Sequence, residues 1–193
     1  MVDLTKTEKQ FDSVITSCKN VFMKKAEDYG LSWKILRLPS ITDQIFIKAK
    51  RIRTLEESGG VKKVNEDIDV EYVGIINYCV IALIVFAEPE IDLEKFNTSS
   101  LMMNDDVHRA LSDKYDAIIQ RAKDLMLRKN HDYDEAWRSM RTSSYCDLIL
   151  TKIVRIKQIE ENRGKVKISE GIDSNYFDIL VYAVFALIRL SEK

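Results

Sequence analysis

The sequence predicts an all-α helical bundle built from two duplicated three-helix repeats about a pseudo-twofold axis, and three observations carry that prediction. The first is a shift of 104 positions without a gap. Phe11–Phe86 laid on Tyr115–Leu190 matches at more than a third of its positions, where unrelated segments would match at a few. The second is the scarcity of breakers, two prolines and six glycines in 193 residues, which leaves long uninterrupted segments. The third is apolar spacing: Phe11, Val14, Ile15, Cys18, Val21, Phe22 and Ala26 recur at the i, i+3, i+4, i+7 intervals of one helical face.

The elements follow in order. A first helix runs from about Leu4 to Tyr29, and a short irregular piece carrying Trp33, Leu36 and Leu38 ends at Pro39. Ser40-x-x-Asp43 precedes the apolar-periodic Ile45, Phe46, Ala49, Ile52 and Leu55 in the manner of a capping box, and Ser144-x-x-Asp147 repeats it. Ser58-Gly59-Gly60 terminates that helix, with Gly164 in the matching place. A third helix runs from about Ile68 to Phe86, with Asp69 as its expected N-cap. It is nearly all apolar in its second half and therefore central. The division is 1–87 for the first repeat, 88–104 for the linker and 105–193 for the second repeat. In the linker Leu101-Met102-Met103 is the stretch that packs down. A repeat of about 76 residues alone buries too little surface to be robust, so the two are expected to share one core.

Composition excludes several classes. Thirty basic and 31 acidic residues give a net charge of −1 with no long block of one sign, which does not favour non-specific duplex nucleic-acid binding. The polar start does not read as a signal peptide, and the apolar runs Ile75–Phe86 and Ile179–Leu190 are too short to span a bilayer. Cys18, Cys79 and Cys146 stand at no metal-ligand spacing and read as core thiols of a reducing cytoplasm. The location expected is cytoplasmic, with no membrane partner. The fused repeats can stand in for a homodimer within one chain, and the remaining surface is open to further association.

Of the positions identical between the repeats, thirteen are charged, nearly half, against 32% charged in the chain. Exposed charges drift freely, because most surface changes cost little. The excess points to pairing, capping or ligand binding. Lys48 and Arg51, repeated as Lys152 and Arg155, leave one side of a helix at i, i+3. A Lys beside an Arg suits a phosphate; the plainer alternative is a pairing with a neighbouring carboxylate. Glu66-x-x-Asp69 and Glu170-x-x-Asp173 could share a divalent cation such as Mg²⁺, or cap the third helix of each repeat. Asp178, aligned with Gly74, sits inside an apolar run and needs a partner: Arg155, Lys152, a metal or a ligand. Asp28-Tyr29…Trp33 and Asp132-Tyr133…Trp137 join an acid to two aromatics, which could stack on and read a base or plug a bundle end. No Gly-rich phosphate loop, Ser-His-Asp set or Cys-x-x-Cys is present, and no residue is assigned a catalytic role.

The combined pattern is Lys-x-x-Asp-Tyr…Trp, then Asp…Lys-x-x-Arg-Ile, then Glu-x-x-Asp…Tyr, twice in order. It resembles the nucleotide modification associated domain 1 family, in the tandem form of Bacteroides-type bacteria. The resemblance implies a small all-α bacterial or phage domain linked to modified nucleotides or DNA bases. It also implies a distant similarity to the all-α, MazG-like NTP pyrophosphohydrolases, whose Mg²⁺ is held by Glu-Glu-x-x-Glu and a later Glu-x-x-Asp. Here the first of those motifs is replaced by Lys48-x-x-Arg51 and Lys152-x-x-Arg155. The function expected is a protein that binds a nucleotide or a nucleotide-like small molecule, with Mg²⁺-dependent phosphohydrolysis as its catalytic form. The rival is a non-catalytic helical structural or protein-interaction module.

Overall fold

The computed structural model describes residues 4–59, 67–88, 97–162 and 171–192. Among these are six long helices: α1 (Leu4–Tyr29), α2 (Leu38–Glu57), α3 (Ile68–Ala87), α4 (Asp105–Tyr133), α5 (Thr142–Glu161) and α6 (Ile172–Ser191). Short 3-10 turns stand at Ser32–Ile35, Thr98–Leu101 and Ala136–Ser139, the second of them in the linker. No strand occurs among the described residues.

α3 and α6 are apolar almost all round, so neither can rest on a surface. They pack on each other and on α2 and α5, in the order of contact α5–α6, α2–α3, α3–α6, α2–α5. α1 and α4 lie against each other and each touches both central helices. Exchanging α1 with α4, α2 with α5 and α3 with α6 reproduces the contact pattern, which is the signature of a pseudo-twofold axis. One cluster of buried side chains draws on all six helices. By length and composition α3 and α6 could each cross a membrane, and both are mostly buried in the bundle.

Two local expectations are corrected. α2 begins at Leu38, with Arg37 at the N-cap and Pro39 in its first turn, so Ser40 and Asp43 lie inside the helix. Proline's fixed φ and missing N–H suit a helix start, and here they set it three residues early. α5 likewise begins at Thr142, behind Arg141. Asp67, not Asp69, occupies the N-cap position of α3; the Asp69 carboxylate accepts from the Val70 N–H at 2.9 Å. Gly60 and Gly164 lie outside the described residues.

Freed from capping, the repeated acids clamp the repeats together. Lys157 reaches Asp43 at 2.5 Å, and the symmetry-related Arg53 reaches Asp147 at 3.4 Å. Lys123 meets Asp12 at 2.8 Å, and Lys19 meets Asp116 at 2.6 Å. Glu88, after α3, pairs with Lys34 at 2.8 Å and with Lys114; its equivalent Glu192 takes Arg138 and Gln10, each at 3.0 Å. Each exposed pair contributes about 0–1 kcal/mol. Burying one large aliphatic side chain gives about 1.5–3 kcal/mol. The core therefore supplies the stability and the clamps supply the register.

The linker is anchored where the sequence suggests. Leu101 is buried, Met102 is exposed, and the Leu101 carbonyl accepts from the Leu31 N–H at 2.8 Å. That approach requires Gly30: it stands at φ +58°, and a Cβ there would lie 2.2 Å from the Leu101 oxygen. The apolar run of α3 is interrupted by Asn77 for a reason of packing. Its amide donates to the Cys18 carbonyl and accepts from the Tyr115 hydroxyl, both at 3.0 Å, tying α3 to α1 and α4. All three cysteines are buried, and burial pushes the Cys18 and Cys146 thiols up to about 12.

One inter-repeat contact has diverged. Thr42 donates to Glu160 at 2.8 Å and accepts from the Tyr176 hydroxyl at 2.7 Å. In the symmetry-related place Cys146 replaces Thr42, and the buried Tyr72 hydroxyl has no hydrogen-bond partner among the described residues. Cys146→Thr is therefore expected to stabilise the fold by about 1 kcal/mol, read as a raised denaturant midpoint at unchanged slope.

Acid sensitivity follows from the clamps. Burial pushes the Glu88 carboxyl up, but hydrogen bonds and charge from Lys114 and Lys34 outweigh it and hold the group below its ordinary 4.5. The hydrogen bond from Gln10, with Arg189, Arg138 and Lys6, does the same for Glu192. A depressed carboxylate contributes stability that is present above 4.5 and is lost as pH falls through its lower native value. Unfolding followed against pH should show an acid limb below 4.5, less steep in Glu88→Gln than in the wild type.

Candidate functional site

The charges that do not clamp the repeats gather beside the first turns of α3 and α6. In the second repeat, Lys129 near the end of α4 and Lys152 in mid-α5 both reach the buried Asp178 carboxylate, each at 2.6 Å. Arg155 stands one turn beyond Lys152 and contacts Gln158 at 3.4 Å. In the first repeat the acid is a different residue. Lys48 meets Glu71 at 3.2 Å, and Arg51 bonds the same carboxylate.

The two acids are not equivalent by alignment. Asp178 matches Gly74, and Glu71 matches Asn175. Positions 71 and 74, like 175 and 178, are three apart and so share one side of the helix. Each repeat keeps one carboxylate on that side, at alternate positions. The side chains adjust accordingly: the Lys48 stem lies against Gly74, where an added Cβ would come within 2.7 Å of its Cε. Asn175 turns its amide to the Gly171 carbonyl at 2.8 Å. Lys25, the equivalent of Lys129, makes no ion pair among the described residues and is exposed.

In the second repeat Lys129 and Lys152 thus converge on one carboxylate with Arg155 a turn away, and in the first Lys48 and Arg51 share Glu71. Basic side chains grouped in this way are of the kind that receive a phosphate, and the carboxylate holds the lysine heads in place.

The aromatics divide. Tyr29 and Tyr133 are 69% and 71% exposed, and Tyr133 stands at i+4 from Lys129, on the same face of α4. Asp28 and Asp132 are exposed, and Asp132 lies 3.2 Å from the His131 ring. Trp137, by contrast, is buried. It stacks on Phe185 at 4.1 Å, and the Arg138 guanidinium lies 4.2 Å from its ring. Two groups that close cannot share a face, so neither face is open to a base. Trp33 is half-buried against the core. The tryptophans plug the ends of the bundle, and the tyrosines are the accessible rings.

Of the carboxylates considered for Mg²⁺, Glu66 and Glu170 lie outside the described residues. Asp69 serves the Val70 N–H, Asp173 folds back beside Gly171, and Asp178 is occupied by two lysines. Among the described residues no three His, Cys, Asp or Glu side chains form a metal-binding group. Glu71 and Lys129 are the site residues the sequence reading passed over. Lys129 belongs to the charges shared by both repeats, and Glu71 is flanked by Val70 and Tyr72 much as Asp178 is flanked by apolar residues.

Fold and site together define a duplicated all-α protein with basic side chains gathered on a buried carboxylate in each repeat. A family model described as nucleotide modification associated domain 1 matches the chain twice, over residues 25–86 and 129–190, more than half of its length. The chain belongs to that family, and each match contains a complete cluster. No curated protein and no solved structure matches it.

Asp178 and its lysines give a direct test. Replacing Lys129 and Lys152 together by Met leaves a buried carboxylate unpaired, and the expected loss is about 2–4 kcal/mol, since both lysine heads are partly solvated. Adding Asp178→Asn to that variant should recover most of the loss in a denaturant-unfolding cycle. An unchanged stability in the double-lysine variant would contradict the pairing.

Proposed function

We propose that the chain binds a nucleotide, its phosphate on Lys129, Lys152 and Arg155 and its base against Tyr133. Lys25, Lys48, Arg51 and Tyr29 form the corresponding surface of the first repeat. The observation that carries this reading is the convergence of two lysine heads on one buried carboxylate. A phosphate monoester carries about two negative charges at neutral pH, which suits a place where two lysines and an arginine stand together. Tyr133 is the neighbouring exposed ring, and an amphipathic aromatic of that kind suits a base. The family description, which ties the chain to nucleotide modification, supports the same choice of ligand.

The second repeat is the better-formed site, because Asp178 gathers Lys129 and Lys152, whereas Lys25 has no such anchor. Mg²⁺-dependent hydrolysis would require oxygen ligands beyond those the described residues assemble, so binding is the reading put forward. One observation favours the rival, a structural or protein-interaction module. Asp12, Lys19 and Asp43, all repeated charges, act as clamps between the repeats.

A thermal-shift panel of nucleoside mono-, di- and triphosphates, with plain and modified bases and with and without Mg²⁺, separates these readings. Ligand at 100 times its dissociation constant should stabilise the fold by about 2.7 kcal/mol. The shift should shrink in Arg155→Ala and in Tyr133→Ala, and the second change, at an exposed ring, should leave the melting temperature of the free protein unchanged. No shift with any phosphate would sink the nucleotide reading and leave the interaction module. A shift that requires Mg²⁺, with release of phosphate or pyrophosphate, would extend the proposal to a hydrolase.

A further inference from the structure

A cavity of about 720 Å³ opens between α1, the start of α3 and the end of α6, within the range of small-molecule sites. It lies on the far side of α3 from the basic cluster: Asp69 and Val73 line it, and both stand about half a turn from Glu71. Val73 and Leu187 give it apolar lining, and Ser13 and Ser17 add hydroxyls. The exposed Asp67 and Asp69 also line it, and no Lys or Arg is among the described residues that do.

The second repeat shows what fills the equivalent space. Ser17 aligns with Arg121, and Val73 aligns with Phe177. There the Arg121 guanidinium lies 4.7 Å from the Phe177 ring centroid, a cation–π contact between α4 and α6. The second repeat thus supplies a planar cation from its own chain. In the first repeat both partners are cut back to small side chains, and the cavity stays open beside two acids.

We infer that this cavity is a binding site for a small planar organic cation of the guanidinium or amidinium class. The apolar lining receives the flat face of the ligand, and Asp67 and Asp69 attract its charge. Neither the phosphate cluster nor Tyr133 takes part, so the site stands independently of the nucleotide reading.

Benzamidinium is a suitable probe, with neutral benzamide and anionic benzoate as controls, titrated into the intact chain by calorimetry. Benzamidinium should bind in preference to both controls, about tenfold or more over benzoate, and Asp69→Asn should narrow that gap. Ser17→Arg, at an exposed position that does not threaten folding, and Ser17→Arg with Val73→Phe, which transplants the plug of the second repeat, should each weaken binding about tenfold or more. Failure of wild type to bind benzamidinium, equal binding of benzoate, or undiminished binding by both plugged variants would overturn the assignment.

Discussion

Everything in this fold depends on covering α3 and α6. A helix that is apolar on every side has no face to offer water, so it must be enclosed. Two such helices in one chain are most economically enclosed by each other. Their mutual contact gives the bundle its pseudo-twofold centre, and α2 and α5 then cover what remains. A repeat alone would leave one flank of its apolar helix bare. The duplication therefore functions as one folding unit, with a core drawn from all six helices.

Enclosure also governs the charges. Where a helix start is buried on one side, a carboxylate there must be matched, because an unpaired buried charge costs several kcal/mol. Each cluster meets that requirement with one acid, yet the two repeats place it at different positions, Glu71 in one and Asp178 in the other. The exchange is possible because the two positions lie one turn apart on the same side of the helix, within reach of the same flexible lysine. What survived divergence is the charge balance of the cluster, not the identity of the acid.

The fold was legible because it rests on periodicity and on the internal repeat, and both are properties of the chain itself. The starts of α2 and α5 were misread because Ser40-x-x-Asp43 and Ser144-x-x-Asp147 fit a capping box locally. Their acids are used instead across the axis, by Lys157 and Arg53. A capping motif and a tertiary clamp look alike until the partner helix is in place. The site was half legible. Lys48, Arg51, Lys152, Arg155 and Asp178 were found because they recur or because they sit in apolar surroundings. Glu71 was passed over because it does not recur, and Glu66 and Asp69 drew attention because they do. Recurrence between copies identifies shared constraints, and the acid of the cluster is where the copies part.

The repeated charges sort into two populations once the partners are known. Asp12, Lys19 and Asp43 are spent on contacts between repeats, and each such contact occurs twice by symmetry. Lys48 and Arg51, and Lys129 and Lys152, are spent within a repeat, on Glu71 and on Asp178. The first population explains why two copies stay in register, and once that is secured it is indifferent to ligand. The second is local: in each copy two basic side chains close on one buried carboxylate, and the basic positions 48 and 51 recur as 152 and 155 while the acid does not. The acid could move between positions 71 and 74 of the repeat because both lie within reach of the same lysine, so the constraint shared by the copies is that a buried carboxylate be matched, not where it stands.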